Sequence, residues 1–256
     1  MIKKELKVKN IFGEDLDVLI EGNEKANDII IFVHGFGTDK NEGFSSFLDA
    51  SKFFQKDYLI IRYDMSGYGG SGGEQKEFQF QKAAGDLDFI IRFVKRKYPD
   101  KTLNIFAHSL GTFVTVILSP EHIRKTVFTG AINTDLKLIT KKLEERILAK
   151  GGLVKKDDIS VYPRTSGTVQ LIGKDFWRTL ENIDFATLLK EFSEKTDLLV
   201  VKAKQDEIVG SDLSFDAYKK IPTLIYEEMN GDHNFTNSQD REELNKRIKR
   251  FLEKSN

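Results

Sequence analysis

Short apolar runs of strand length alternate with longer helical stretches along most of this chain, and that alternation limits the fold more than any other feature. The runs fall at 28–33 (DIIIFV), 58–63 (YLIIRY), 102–107 (TLNIFA), 125–130 (KTVFTG), 197–203 (DLLVVKA) and 223–229 (TLIYEEM). Between and after them lie helical stretches at 42–55, 77–97, 110–119, 211–220 and 238–253. In 77–97, for example, Leu87, Ile90, Ile91 and Val94 recur three or four residues apart, as one face of a helix requires. Strand–helix–strand alternation of this kind predicts crossover units and a mostly parallel sheet. Ahead of it, residues 4–9 and 16–21 read as two strands around the turn FGED, an N-terminal hairpin.

The alternation stops between about 134 and 192. KLITKKLEERILAKGG reads as helix, ISVYPRTSGTVQLIG as a hairpin, and DFWRTLENIDFATLLKEF as further helix. That is too much chain for a loop. It predicts an inserted cap over a core made of 1–133 and 193–256. Ligands of open parallel sheets bind beyond the carboxyl ends of the strands, so an insertion leaving from that end is placed to act as a lid. A length of 256 residues suits one such domain with an insertion.

Charge and composition remove several classes of function. Lysine plus arginine number 40, as do aspartate plus glutamate, so the formal net charge is zero and nothing favours nucleic acid. There is no cysteine, which excludes disulfides, thiol catalysis and thiolate metal sites. The opening MIKKELKVKNIFGED lacks the apolar stretch of a signal peptide, and runs such as IIIFV are too short to span a bilayer. The expectation is a cytoplasmic protein without a membrane span, and NFT at 234–236 is then a chance sequon. A homodimer is compatible with the sequence.

The chemistry concentrates at strand ends. In NIFAHSLGTF (104–113), Ser109 stands between small residues where a strand runs into a helix. An N-cap serine would occupy the same place. So would a nucleophile on a sharp turn of the G-x-S-x-G type, with Ala107 in place of the first glycine. FVHGFG (32–37) leaves another strand through two glycines, and the amides of Phe36 and Leu110 could converge on one oxygen as an oxyanion hole. A serine nucleophile needs a base. Of the histidines 34, 108, 122 and 233, His233 in GDHNF follows the strand TLIYEEM at the same end of the sheet. His34 belongs to the glycine loop, His122 to a surface connection, and His108 is expected to point away from the serine across a sharp elbow. An acid must fix the imidazole tautomer. Asp206 in KQDEIV lies closest to its strand end, with Glu207 and Asp135 as alternatives.

GYGGSG (67–72) matches the dinucleotide fingerprint by letter, but no helix opens on it and the downstream acids, Asp86 and Asp88, fall in a helical pattern. It is expected to line the rim of the site instead. No H-E-x-x-H or comparable metal spacing is present, and no cofactor is expected.

HGFG, RYDMSGYGGSGG, AHSLG, KQDEIV and GDHNF stand in the order found in α/β-hydrolases. Over nearly its whole length the chain resembles the small intracellular carboxylesterases that include cinnamoyl and feruloyl esterases, and the related monoacylglycerol lipase and serine-peptidase-like group. The resemblance is weakest in 134–192. It implies the α/β-hydrolase fold, a cap inserted after the sixth strand, a Ser109–His233–Asp206 triad, oxyanion donors at Phe36 and Leu110, and hydrolysis of a small-molecule ester. Peptide or thioester cleavage by the same residues, and a non-catalytic binding protein of the same fold, are the alternatives. Phe176 and Trp177 in KDFWRTL are either packing inside the cap, the commoner role of such a pair, or contacts for an apolar or aromatic acyl group.

Overall fold

Strand β3 (Asp28–Val33) fixes the position of the sheet in the molecule. Its residues Ile29, Ile31 and Val33 join the apolar core on one face, while Ile30 and Phe32 join the core on the other. A strand apolar on both sides has to lie in the middle, with helices above and below. The computed structural model, which describes residues 1–165, 167–209 and 216–254, has that arrangement.

β1 (Ile2–Lys9) and β2 (Asp15–Gly22) form the N-terminal hairpin. After β3 come α1 (Ser46–Phe54), β4 (Leu59–Tyr63), α2 (Phe80–Lys97), β5 (Thr102–His108), α3 (Leu110–Leu118) and β6 (Lys125–Thr129). Then follow α4 (Leu136–Ala149), a separate hairpin of β7 (Ser160–Pro163) and β8 (Val169–Ile172), α5 (Lys174–Asn182) and α6 (Phe185–Ser193). The chain closes with β9 (Asp197–Ala203), α7 (Asp216–Lys219), β10 (Leu224–Met229) and α8 (Ser238–Glu253). The main sheet has eight strands in the order β1-β2-β4-β3-β5-β6-β9-β10. β2 pairs antiparallel with β1 and β4, and every pairing from β4 to β10 is parallel. The carboxyl ends of β3, β5, β6, β9 and β10 therefore lie along one edge.

α1 and α8 cover one face through Phe47, Phe54, Leu244 and Ile248. α2 and α3 cover the other through Leu87, Ile90, Phe113 and Val114, and α4, α5 and α6 extend that same core with Leu143, Trp177, Leu180 and Leu189. No helix among the described residues is long and apolar enough to cross a membrane.

Two helices start later than their periodicity predicts. The 42–55 stretch opens with a single tight turn, Gly43–Ser45, before α1, because Glu42, Phe44 and Ser45 all adopt positive φ and interrupt the helix. α2 begins at Phe80 because Phe78 and Gln79 are extended. Of the helix predicted over 211–220, α7 covers 216–219, and residues 211–215 lie outside the described residues.

Candidate active site

Ser109 sits between β5 and α3 with φ 51° and ψ −122°, a conformation that strains any residue with a Cβ. Packing holds it there. The amide of Ser109 donates to the Thr129 carbonyl at 2.9 Å, and the Thr112 hydroxyl donates to the Ser109 carbonyl at 2.7 Å. Ala107 is fully buried in the strand. A Cβ on Gly111 would lie 2.2 Å from the Val33 carbonyl oxygen, so α3 crosses the end of β3 at a distance only glycine permits. The Ser109 hydroxyl does not cap α3. It lies 3.0 Å from Nε2 of His233.

His233 follows β10, and its Nδ1 lies 2.8 Å from Oδ2 of Asp206, which follows β9. Asp206 is fully buried. Burial pushes its carboxyl group up, but the His233 imidazole, the Lys202 ammonium 3.8 Å away and the Val209 amide outweigh this and hold it down at about 2. Its Oδ1 accepts from the amides of Ile208 and Val209 at 2.9 and 3.2 Å. Asp206 is thus ionised near neutral pH. Nδ1–H of His233 donates to it, leaving Nε2 to accept from the serine hydroxyl. The two loops are tied together, since the Gln205 amide donates to the Gly231 carbonyl at 3.0 Å and the Gly231 amide to the Gln205 side chain at 2.7 Å. The alternative acids are engaged elsewhere: Asp135 caps α4 by accepting from the Leu138 amide at 3.1 Å, and Glu207 is exposed.

The His108 ring lies 4.8 Å from that of His233, centroid to centroid. Gly130 makes this approach possible, because a Cβ there would fall 2.7 Å from one ring and 2.8 Å from the other. Burial pushes the His108 imidazole down to about 4, so it stays neutral, with Nδ1 3.0 Å from the Thr129 hydroxyl. His34 is structural: fully buried, it accepts at Nε2 from the Met65 amide at 3.0 Å. His122 is exposed in the connection before β6.

Glu42 is a residue that the sequence did not suggest. It is buried, with φ 61° and ψ 166°, and its carboxylate accepts from the amide of Gly35 and, at 2.7 Å, from that of Gly43. A Cβ on Gly35 would sit 3.1 Å from both Glu42 Oε2 and the Ser109 Cβ, so this carboxylate clamps the loop bearing Phe36 directly beside the serine. Leu110, the other predicted amide donor, is the first residue of α3.

A cavity of about 630 Å³ opens over Ser109 and His233. One wall carries Gly35, Phe36, Glu42 and Phe44, and the other Leu143, Arg146, Lys150, Tyr162 and Arg164, with Ile208 beside them. Phe176 and Trp177 are not among the lining residues. Both are buried: Trp177 donates from its indole to Ser160 Oγ at 3.1 Å, and Phe176 packs against Phe36, Phe78 and Phe80. Both are thus packing rather than acyl contacts, with Phe176 backing Phe36. GYGGSG does not reach the cavity either. It wraps the buried Asp64, whose carboxylate accepts from the amides of Gly70 and Lys40 at 2.8 and 2.6 Å, and α2 starts eight residues after it. Among the described residues no group of three histidine or carboxylate side chains is placed to hold a metal ion.

Comparison with known proteins gives a consistent picture. Residues 24–150 match the model of a family described as serine aminopeptidase, S33. A probable lysophospholipase of Arabidopsis thaliana, BODYGUARD 2, is 32% identical over 104 residues, 39% of this chain and 21% of that one. Monoglyceride lipase of Rattus norvegicus is 28% identical over 132 residues, 46% of this chain and 43% of the lipase. The chain thus spans less than half the length of these curated relatives. Two solved structures resemble it along nearly the full length. Est1E of Butyrivibrio proteoclasticus with bound ferulic acid has a TM-score of 0.77 at 15% identity, covering 96% of this chain and 97% of its own. The esterase domain of a Rhodothermus marinus protein has a TM-score of 0.71 at 18% identity, covering 98% of each chain.

Proposed function

Proceeding from a chain that carries the α/β-hydrolase fold and resembles the monoglyceride lipase and feruloyl esterase group, we propose that it is a serine hydrolase that cleaves carboxylic esters through an acyl-enzyme. The hydrogen-bonded line from Asp206 through His233 to Ser109, at the floor of a cavity, carries this reading. Nε2 of His233 takes the hydroxyl proton as Ser109 Oγ bonds to the ester carbonyl carbon. The negative charge gathers on the carbonyl oxygen, where the amides of Phe36 and Leu110 and the N-terminus of α3 stabilise it. The imidazolium then gives its proton to the departing alkoxide, and the acyl group stays on Ser109. Water enters the alcohol's place, loses a proton to Nε2 and attacks the acyl carbon, and the same proton returns to Ser109 as the acid leaves. Asp206 keeps its charge throughout and stabilises the imidazolium. The residues 134–192 act as the cap, providing the second wall of the cavity.

The test is hydrolysis of short p-nitrophenyl esters by the purified chain and by Ser109→Ala. Turnover is expected for the parent, with kcat lowered on the order of a million-fold in the variant. A folded variant that keeps a tenth of the activity would remove Ser109 from the nucleophile role.

A further inference from the structure

Three cations stand on the cap wall of the cavity, and their arrangement says more about the substrate than the Ser109 end does. Arg146 comes from α4, Lys150 follows that helix, and Arg164 follows β7. Two of them flank one buried tyrosine: the Lys150 ammonium lies 5.6 Å and the Arg164 guanidinium carbon 5.0 Å from the centre of the Tyr162 ring. Arg146 is fixed by donation from Nη1 to the Ile208 carbonyl at 3.0 Å, in the loop that follows Asp206. Its Nε is buried and, among the described residues, has no hydrogen-bond partner. Arg164 reaches the glycine loop beside the serine, since a Cβ on Gly37 would lie 3.2 Å from its guanidinium carbon.

Elsewhere most arginines of this chain are matched to acids, as in Arg62–Glu21, Arg124–Asp28, Arg241–Asp49 and Arg247–Glu227, with Arg96 the exception among the described residues. Among the described residues the three cavity cations have no such partner. Lys150 donates instead to the Thr165 hydroxyl at 2.7 Å. Among the described residues the one carboxylate that lines the cavity, Glu42, is engaged by the amides of Gly35 and Gly43. Like charges gathered in a half-buried cleft repel one another and focus a positive field into it, which a bound anion would relieve. Arginine forks suit the planar oxygens of carboxylate or phosphate.

We propose that the substrate is an anionic ester, whose carboxylate or phosphate group is bound by Arg146, Lys150 and Arg164 while its carbonyl lies at Ser109. This inference rests on the hydrolase reading and names its substrate class. The charge belongs either to the acyl part or to the alcohol part, and matched pairs separate the two. For the acyl side the pair is mono-p-nitrophenyl glutarate and p-nitrophenyl valerate, which have the same chain length and differ in charge. For the alcohol side it is 1-monoacylglycerol and 1-acylglycerol-3-phosphate with the same acyl chain. In one pair the anionic member is expected to exceed its neutral match at least tenfold in kcat/KM, with most of the difference in KM. Arg164→Gln, Lys150→Gln and Arg146→Gln should each reduce that ratio, and the Arg164→Gln/Lys150→Gln double variant should bring it below about threefold, consistent with the loss of charge-assisted bonds. Lys141→Gln, at an exposed position on α4 outside the cavity, should leave it unchanged. Neutral esters hydrolysed as well as or better than anionic ones in both pairs would overturn the inference and leave the hydrolase reading standing. No turnover of any of the four would overturn both.

Discussion

The elbow around Ser109 and the stretch from Leu136 to Ser193 border the same cavity, yet they are built on different terms. At the elbow, each part has a local cause. A strand end, a strained serine, a glycine against a carbonyl oxygen and two short loops place Ser109, His233 and Asp206 within hydrogen-bonding distance of one another. The cap wall has no comparable local logic. Its cations come from a helix and a hairpin end, and what unites them is the lack of acidic partners among the described residues, with Tyr162 shared by two of them. On the proposed reading, reaction type is written in the sheet and substrate choice in the insertion. A fold can keep the first while the second varies.

Substitutions can break that division at either end. At the sheet end, Asp206→Asn is expected to lower kcat on the order of ten-thousand-fold, because His233 would lose the partner that sets its tautomer. Asp135→Asn touches only the cap of α4 and should cost about 1 kcal/mol of stability or less, with activity nearly intact. Steady-state kinetics on both variants decides this, and the reverse ranking would move the acid to Asp135. At the insertion end, Trp177→Ala should destabilise the chain by about 3–5 kcal/mol, since the ring is fully buried. Hydrolysis of p-nitrophenyl acetate and of a bulky aromatic ester should then fall together as the melting temperature drops. A selective loss on the bulky ester with an unchanged melt would return Trp177 to the substrate site.

A smaller effect concerns acid stability. The folded state holds His108 at about 4, below the ordinary histidine value of 6.5, so the unfolded chain takes up that proton first as the pH falls. Stability should therefore be lost between about pH 6.5 and 4, by about 3 kcal/mol from this residue. Asp206, held at about 2 against 3.8, acts in a lower window, from about pH 4 down to 2. Urea unfolding at pH 7 and 4.5 should show a smaller difference in His108→Gln than in the parent. Equal differences would mean that burial does not hold His108 neutral.

What the sequence revealed follows the same division. The sheet was legible because each parallel strand is an unbroken apolar run, and the boundaries of β3 and β9 match those runs. Ser109, His233 and Asp206 were legible because each follows a strand end by a few residues. The contact of His108 with His233 left no signal, because it depends on Gly130, in a third strand connection. Glu42 left no signal, as its strained backbone lies in a polar loop with no residue that requires it. The role of Trp177 stayed open because helical spacing aligns Phe176, Trp177 and Leu180 on one face without saying whether that face meets the cavity or the core. The glycines of GYGGSG matched a pattern by letter, while their fold serves Asp64.

On the proposed reading, His233 and Asp206 make the Ser109 hydroxyl a nucleophile. The most direct measurement is the mass of the folded chain after reaction with a fluorophosphonate, with the modified peptide identified. One adduct per chain is expected on the peptide carrying Ser109, absent in Ser109→Ala and formed far more slowly in His233→Ala. No adduct on the folded parent, or one on a different residue, would contradict it.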